Sequence, residues 1–190
     1  MEFEVTFTDN THLEELAAEF PLCAVRALNT VGGQTERFAE SEILARYNVS
    51  SQDVKSAFSR EPAKPGQLTY TIKASGVRTR LFQYGPMQGP VGVTSEVIRG
   101  SMVTVAHAFV ARMPSGHWGV FLRDKVKRPH IRMRGVKGAA EKIHIQEQYR
   151  PSISEMFFAR SVMEKVSAFS EDLLPAQMDE EVRKIVGEAA

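Results

Sequence analysis

The chain has 190 residues, of which 43% are hydrophobic and 25% charged, and its formal net charge is +1. These values are ordinary for a globular protein, and the length suits one domain with a sizeable core, so we expect residues 1–190 to form a single domain. No run approaches 18 consecutive apolar residues, which argues against a membrane span. The N-terminus lacks the basic region of a signal peptide. The single cysteine, Cys23, cannot build a disulfide framework or a zinc cage, and we expect it to be a buried apolar residue.

The first part of the chain is predicted to be helical over residues 11–58, after a short N-terminal strand. Phe3, Val5 and Phe7 alternate with polar residues, which is typical of a half-buried strand. Thr11 then opens a capping box for a short helix over residues 12–20.

A second, longer helix is predicted to begin at Pro21, which suits a first helical turn, and to end at about Tyr47. Gly32 and Gly33 interrupt it, which indicates a kink or a close crossing. Ser50 and Asp53 resemble a capping box for a third helix, over residues 51–58.

The middle of the chain, residues 67–122, is predicted to be rich in β-structure. Residues 67–74 alternate between apolar and polar side chains and are expected to pair with a strand over residues 77–84, across a tight turn at Ser75–Gly76. A loop over residues 85–92 and a strand over residues 93–98 follow.

A β-hairpin completes this region. Its strands are predicted over Val103–Met113 and His117–Leu122, and its turn ends at Gly116, which can adopt a left-handed conformation without strain. Because side chains alternate along a strand, Trp118 and Phe121 should lie on opposite faces, with at least one of them buried.

The last part of the chain, residues 152–187, is predicted to be helical again. Ser152 and Glu155 are predicted to form a capping box for a helix that ends at about Phe169. Pro175 is predicted to break the helical pattern. A final helix is predicted over residues 176–186, with Gly187 at its end. The predicted fold class is therefore α+β, with a central antiparallel sheet or meander on which a long N-terminal helix and the C-terminal helices pack.

Charge is unevenly distributed along the chain. Residues 1–20 carry six acidic and no basic residues, residues 21–150 carry 20 basic and 9 acidic residues, and residues 151–190 carry 4 basic and 8 acidic residues. A basic middle between acidic ends suits either nucleic acid or the acidic ends of a neighbouring copy, and a solvated surface is the third interpretation.

The positive charge is concentrated in residues 123–138, which we predict to form an extended basic arm. Its first twelve residues hold six Lys/Arg and one Asp. Such residues neutralise phosphates without selecting a base sequence, and the absence of aromatic residues between Phe121 and Tyr149 gives no support to base stacking. The residues predicted to face DNA or a neighbouring subunit are Lys125, Lys127, Arg128, Arg132, Arg134 and Lys137.

The sequence contains no recognisable catalytic, metal-binding or cofactor-binding motif. The five histidines have no metal-ligand spacing, and we expect His107 and His117 to form at most a packed or surface pair across the hairpin. No dinucleotide-binding glycine pattern, P-loop or nucleophile elbow is present. A helix-turn-helix at residues 49–58 is disfavoured because Lys55 is its only basic residue. We therefore expect no enzyme activity, no catalytic residues, no metal and no cofactor.

The order of these features resembles the prophage minor tail protein Z family, the tail-completion proteins of long-tailed phages. The resemblance spans roughly residues 20–170 and lies in the layout of the elements and in short matches. The matches are Ala27-Leu28-Asn29, Ala45-Arg46-Tyr47-Asn48-Val49, Ala108-Phe109-Val110, Gly116-His117-Trp118-Gly119-Val120-Phe121 and Arg150-Pro151-Ser152-Ile153.

The lack of a signal-peptide pattern and the single cysteine predict that the protein is made in a reducing cytoplasm. The resemblance implies a virion structural protein near the head–tail junction, in the neck or upper tail, so that this cytoplasm is the host's. It further implies a ring of copies of this chain, six-fold to match tail symmetry, which contacts other tail and connector proteins and no membrane. Genomic DNA in the channel is a further expected partner of the basic arm. The alternative hypothesis is a stand-alone, sequence-independent nucleic-acid-binding module that uses the same arm.

Overall fold

The computed structural model describes residues 11–123 and 145–188, with side chains described over residues 20–123 and 145–185. The protein has an α+β fold in which a long N-terminal helix and C-terminal helices accompany small antiparallel sheets. The described helices are α1 (Thr11–Arg46), α2 (Ser51–Ala57), a 3-10 helix (Leu81–Tyr84), α3 (Ile153–Phe157) and α4 (Arg160–Glu188). None of them has both the length and the apolar composition needed to cross a membrane. The predicted N-terminal strand, residues 3–7, lies outside the described residues.

The strands within residues 11–123 and 145–188 form four small sheets rather than the one meander that the sequence predicted. The strands are β1 (Phe58–Glu61), β2 (Thr71–Ala74), β3 (Thr79–Arg80), β4 (Met87–Gln88), β5 (Gly92–Ile98), β6 (Ser101–Ala106), β7 (Phe109–Arg112), β8 (Trp118–Arg123), β9 (Ile145–Glu147) and β10 (Tyr149–Arg150). They pair antiparallel as β1–β2, β3–β10, β4–β5–β6 and β7–β8–β9.

Helices α1 and α4 pack against each other and are both longer than predicted. The sequence predicts helix boundaries at Pro21 and Pro175, but both prolines lie inside continuous helices. A proline removes one hydrogen bond from a helix, and both residues are exposed, so that the carbonyl left without a donor can bind water. The rings of Phe38 on α1 and Phe169 on α4 stack with their centroids 4.3 Å apart, and Cys23 is fully buried as predicted.

The predicted hairpin across Ser75–Gly76 is wrong. Strand β2 pairs instead with β1, whose first residue, Phe58, was predicted to end the third helix. After β3, the chain forms the 3-10 helix, which buries Leu81 and Tyr84 completely on one side. Residues three apart lie on the same side of such a helix, so this apolar spacing favoured a helical turn over a strand.

The predicted strand Val103–Met113 is divided between two sheets. His107 has a φ of +63°, a left-handed conformation that interrupts a strand. Strand β6 therefore pairs with β5, whereas β7 pairs with β8. The turn of the β7–β8 hairpin is as predicted, with Gly116 at a φ of +85°.

Two predicted caps are present. The Ser50 hydroxyl accepts a hydrogen bond from the Asp53 amide at the start of α2, and Ser152 and Glu155 form a full capping box on α3. The predicted helix over residues 152–169 is interrupted at residues 158–159, which separate α3 from α4. The main core lies where α1, α2, α3 and α4 meet the sheets, and it includes Ile43, Val54, Leu81, Tyr84, Val93, Val120, Met156 and Val162.

Candidate functional site

The basic arm begins at the end of β8 and belongs to the connection from β8 to β9, two strands that are paired where this connection starts and ends. Arg123, the last residue of β8, is the register partner of Ile145, the first residue of β9. The connection, residues 124–144, carries seven Lys/Arg against two acidic residues. All six predicted contact residues of the arm, Lys125, Lys127, Arg128, Arg132, Arg134 and Lys137, lie outside the described residues. At its described edge, the Arg123 guanidinium lies 5.4 Å from the centre of the Phe109 ring, within the range of a cation–π contact.

A polar cluster around Glu147, which was not predicted from the sequence, joins the two sheets that contain β3 and β8. The Glu147 carboxylate contacts His117 Nε2 at 2.8 Å and Arg80 Nε at 3.8 Å, and it accepts a hydrogen bond of 3.0 Å from the Tyr149 hydroxyl. Arg80 and Tyr149 are register partners in the β3–β10 pair. We name Arg80, His117, Glu147 and Tyr149 the Glu147 cluster.

Both ring nitrogens of His117 have partners. Arg80 Nη1 lies 3.4 Å from Nδ1, and a guanidinium can only donate, so Nδ1 is the acceptor and Nε2–H donates to Glu147. The hydrogen bond to Glu147, followed by burial and the charge of Glu147, raises the pKa of the Tyr149 hydroxyl. These contacts connect β3, β9 and β10 with the start of β8, so we assign the Glu147 cluster a structural role.

The predicted pair of His107 and His117 does not form. The strand register carries His117 opposite Met113, whose amide donates to the His117 carbonyl at 2.7 Å, and His107 lies in the left-handed break between β6 and β7. His117 instead contacts Glu147. The sequence signal for this polar face was the spacing of Glu147 and Tyr149, since residues two apart in an extended segment lie on one face.

Strand β6 forms an open edge of the β4–β5–β6 sheet. It contains no charged residue and no proline, and no strand in the described ranges pairs with its outer side. Met102 and Val103 are 62% and 47% exposed. Two other large apolar side chains near this sheet are also exposed, Met87 on β4 and Val91 in the turn before β5. Natural proteins usually protect a sheet edge with charge or proline, and β6 has neither.

A shallow cleft of about 370 Å³ lies between α2, the segment before the 3-10 helix, and the start of α3. Its lining mixes Asp53 with Arg78 and Arg80 and includes the hydroxyl groups of Ser56, Ser75 and Thr79. The lining carries two arginines and one aspartate, and Arg80 is already paired with Glu147, so the cleft has no strong charge of one sign. No group of histidine, cysteine or acidic side chains within the described part of the chain could hold a metal ion.

Comparison with known proteins gives no relative from which a function could be transferred. No protein-family model, no curated protein and no solved structure matches the chain. The function is therefore inferred from the open β6 edge, the basic connection between β8 and β9, and the distribution of charge along the chain.

Proposed function

We propose that the protein is a non-enzymatic structural protein of a phage virion, a tail-completion protein at the head–tail junction that assembles into a ring of identical copies. The observation that carries this proposal is the open β6 edge with its exposed Met102 and Val103. An uncharged edge strand is a template for pairing with another chain, and assembly proteins require such surfaces.

The charge distribution supports a ring in which copies contact each other head to tail. In this proposal, the acidic ends of one copy contact the basic middle of the next, since the two regions of the chain carry opposite net charge. A contact between different surfaces of neighbouring copies continues from copy to copy until the ring closes. Six copies are proposed, in agreement with the resemblance to the minor tail protein Z family.

The strand register supports the position of the basic arm in this proposal. Because Arg123 and Ile145 are paired, the 21-residue connection between them starts and ends at neighbouring positions of one sheet. A connection of this kind on each copy would present a repeated set of Lys/Arg side chains to DNA in the channel or to an acidic neighbour.

The second candidate function is a stand-alone nucleic-acid-binding module, which the same seven Lys/Arg favour. Binding of the isolated protein to duplex DNA over a range of salt concentrations distinguishes the two. A module that works alone binds duplex DNA as a monomer with a steep salt dependence, whereas a ring protein requires assembly or the virion.

The decisive experiment is structural and is made on virions. Phage particles from the organism that encodes the chain would be purified, tested for this protein by mass spectrometry and imaged by cryo-electron microscopy. The proposal expects density for a closed ring of this chain between the tail tube and the head connector. Purified virions that lack the chain, or that contain one asymmetric copy, would refute it.

A further inference from the structure

The open β6 edge exposes a face of its sheet that is otherwise part of the core. Residues directly opposite each other in an antiparallel pair lie on the same face, and Val103 lies opposite Ser95, which is 1% exposed. The neighbouring Val93 on that face is fully buried. Val103 is nevertheless 47% exposed, because no further strand in the described part of the chain covers it at the edge.

A strand that completed this sheet would need apolar side chains on the core side and polar side chains on the other. The chain itself contains such a segment, Glu2-Phe-Glu-Val-Thr-Phe7, in which Phe3, Val5 and Phe7 alternate with polar residues. Paired beside β6, its apolar side chains would extend the row formed by Val103 and Val105, and its polar side chains would lie beside Met102 and Thr104.

The length of α1 prevents this segment from pairing with β6 of its own chain. Helix α1 has 36 residues, so Thr11 lies about 52 Å from Arg46 at roughly 1.5 Å per residue. The Arg46 carbonyl accepts a 2.9 Å hydrogen bond from the amide of Arg99, which lies in the turn between β5 and β6. From Arg99 to the far end of β6 at Ala106 the chain spans at most about 25 Å, at roughly 3.5 Å per residue. Even if β6 ran straight back along α1, and with about 5 Å allowed between Arg46 and Arg99, that end would lie about 22 Å from Thr11.

The connection available for that distance is too short. Residues 7–11 span at most about 14 Å when fully extended, and paired strands lie only about 5 Å apart. Phe7 therefore cannot reach β6 within one chain, whereas a second copy has no such restriction.

We infer that residues 2–7 of one copy add as a further antiparallel or parallel strand to the β6 edge of a second copy. This contact rests on the proposed ring and gives it a mechanism, because the donor segment and the acceptor edge lie at opposite ends of α1. Each copy thus offers one donor and one acceptor, which is the arrangement that a head-to-tail ring needs.

The test uses the full chain with its own donor disabled by Val5→Pro, since proline cannot complete a strand ladder. The probe is a fluorescently labelled peptide with the sequence of residues 1–10, and the readout is anisotropy. Saturable binding is expected to the Val5→Pro chain. The additional substitution Val103→Lys should weaken binding at least tenfold, whereas the control Val77→Lys, at a 90% exposed position outside the strands, should not. Circular dichroism verifies that all three chains are folded.

A mixing experiment then tests pairing between whole copies. At a concentration that saturates the peptide site, Val5→Pro and Val103→Lys chains should each be monomeric by light scattering, and their equal mixture should form dimers. Absence of peptide binding, equal binding to the Val103→Lys acceptor, or a mixture that stays monomeric would overturn the inference. If virions contain a ring of this chain whose copies do not pair through residues 2–7 and β6, the inference is refuted and the proposed function stands. If virions lack the chain but the peptide and mixing experiments succeed, only the proposed function is refuted.

Discussion

Gly32 on α1 lies directly against the ring of Tyr70, so closely that a Cβ atom on this glycine would stand 2.3 Å from ring atoms Cγ and Cδ1. Tyr70 is itself held in place by a 3.3 Å hydrogen bond from its hydroxyl to Glu36. Burial and the nearby Glu36 carboxylate raise the pKa of the Tyr70 hydroxyl. The adjacent Gly33 faces open space, so the pair of glycines provides a matched experiment.

We expect Gly32→Ala to destabilise the protein and Gly33→Ala to stabilise it slightly. The alanine at position 32 must displace the Tyr70 ring, and overpacking of this kind costs about 1–3 kcal/mol. Alanine at position 33 meets no atom and gains up to about 1 kcal/mol in helix propensity. Urea unfolding of both variants measures the difference, and equal midpoints would contradict the close approach of Tyr70 to Gly32.

Phe121→Ala should destabilise the protein far more than Trp118→Ala. Phe121 is 5% exposed and packs against Phe109, whereas Trp118 is 49% exposed and stacks on Phe82 with centroids 6.3 Å apart. Truncation of a buried phenylalanine costs about 3–5 kcal/mol, and an aromatic pair contributes about 0.5–1.5 kcal/mol beyond its buried area. Thermal melts of the two variants test this order, and a larger loss of stability for Trp118→Ala would show that the assigned faces of β8 are reversed.

The stability of the protein should depend on the ionisation of Glu155 at acid pH. Hydrogen bonds from the Ser152 amide and hydroxyl lower the pKa of the Glu155 carboxyl from its usual 4.5. Because the folded pKa is the lower one, the carboxylate stabilises the fold above pH 4.5, and this stabilisation is lost as the pH falls from there through the folded pKa.

Glu155→Gln is therefore expected to lower the free energy of unfolding at neutral pH and to lose that effect in acid. Chemical denaturation of the parent and the variant at a series of pH values gives the difference directly. Glu171→Gln, at an exposed position on α4, is the control for removal of one surface carboxylate. A difference between Glu155→Gln and the parent that stays constant across the pH series would contradict the role assigned to the capping box.

The basic arm should be dispensable for folding and necessary for assembly or DNA retention. The test variant replaces Lys125, Lys127, Arg128, Arg132 and Arg134 with glutamine. If the arm binds DNA, the slope of log affinity against log salt concentration should flatten by about 0.9 for each phosphate that the variant no longer neutralises. If the arm binds acidic side chains of a neighbour, assembly should fail even in the absence of DNA.

A control with the same change in charge separates these effects from net charge alone. It replaces five exposed basic residues elsewhere with glutamine, namely Arg26, Arg37, Lys55, Lys64 and Arg183. Unchanged assembly and DNA retention in the arm variant would support the third interpretation, a solvated loop.

The elements that the sequence predicted well depend on local interactions. The cap at Ser50, the capping box of Ser152 and Glu155, and the left-handed Gly116 involve residues that are close in the chain. Their hydrogen bonds and backbone preferences are therefore visible in a short window of sequence. Burial of Cys23 followed from residue type alone.

Tertiary structure decided which strands pair and where the helices end. Pro21 and Pro175 remain within helices because α1 and α4 are stabilised by packing along their lengths, including the stack of Phe38 on Phe169, and packing of this kind overrides a local breaker. The Glu147 cluster could not be predicted either, since it joins Arg80, His117 and Tyr149 from three segments far apart in the chain. Sequence alone determined the charge pattern and the class of the fold. Only the tertiary structure left β6 as an edge with no further strand beside it among the described residues, because an edge exists only once the other strands have found their partners.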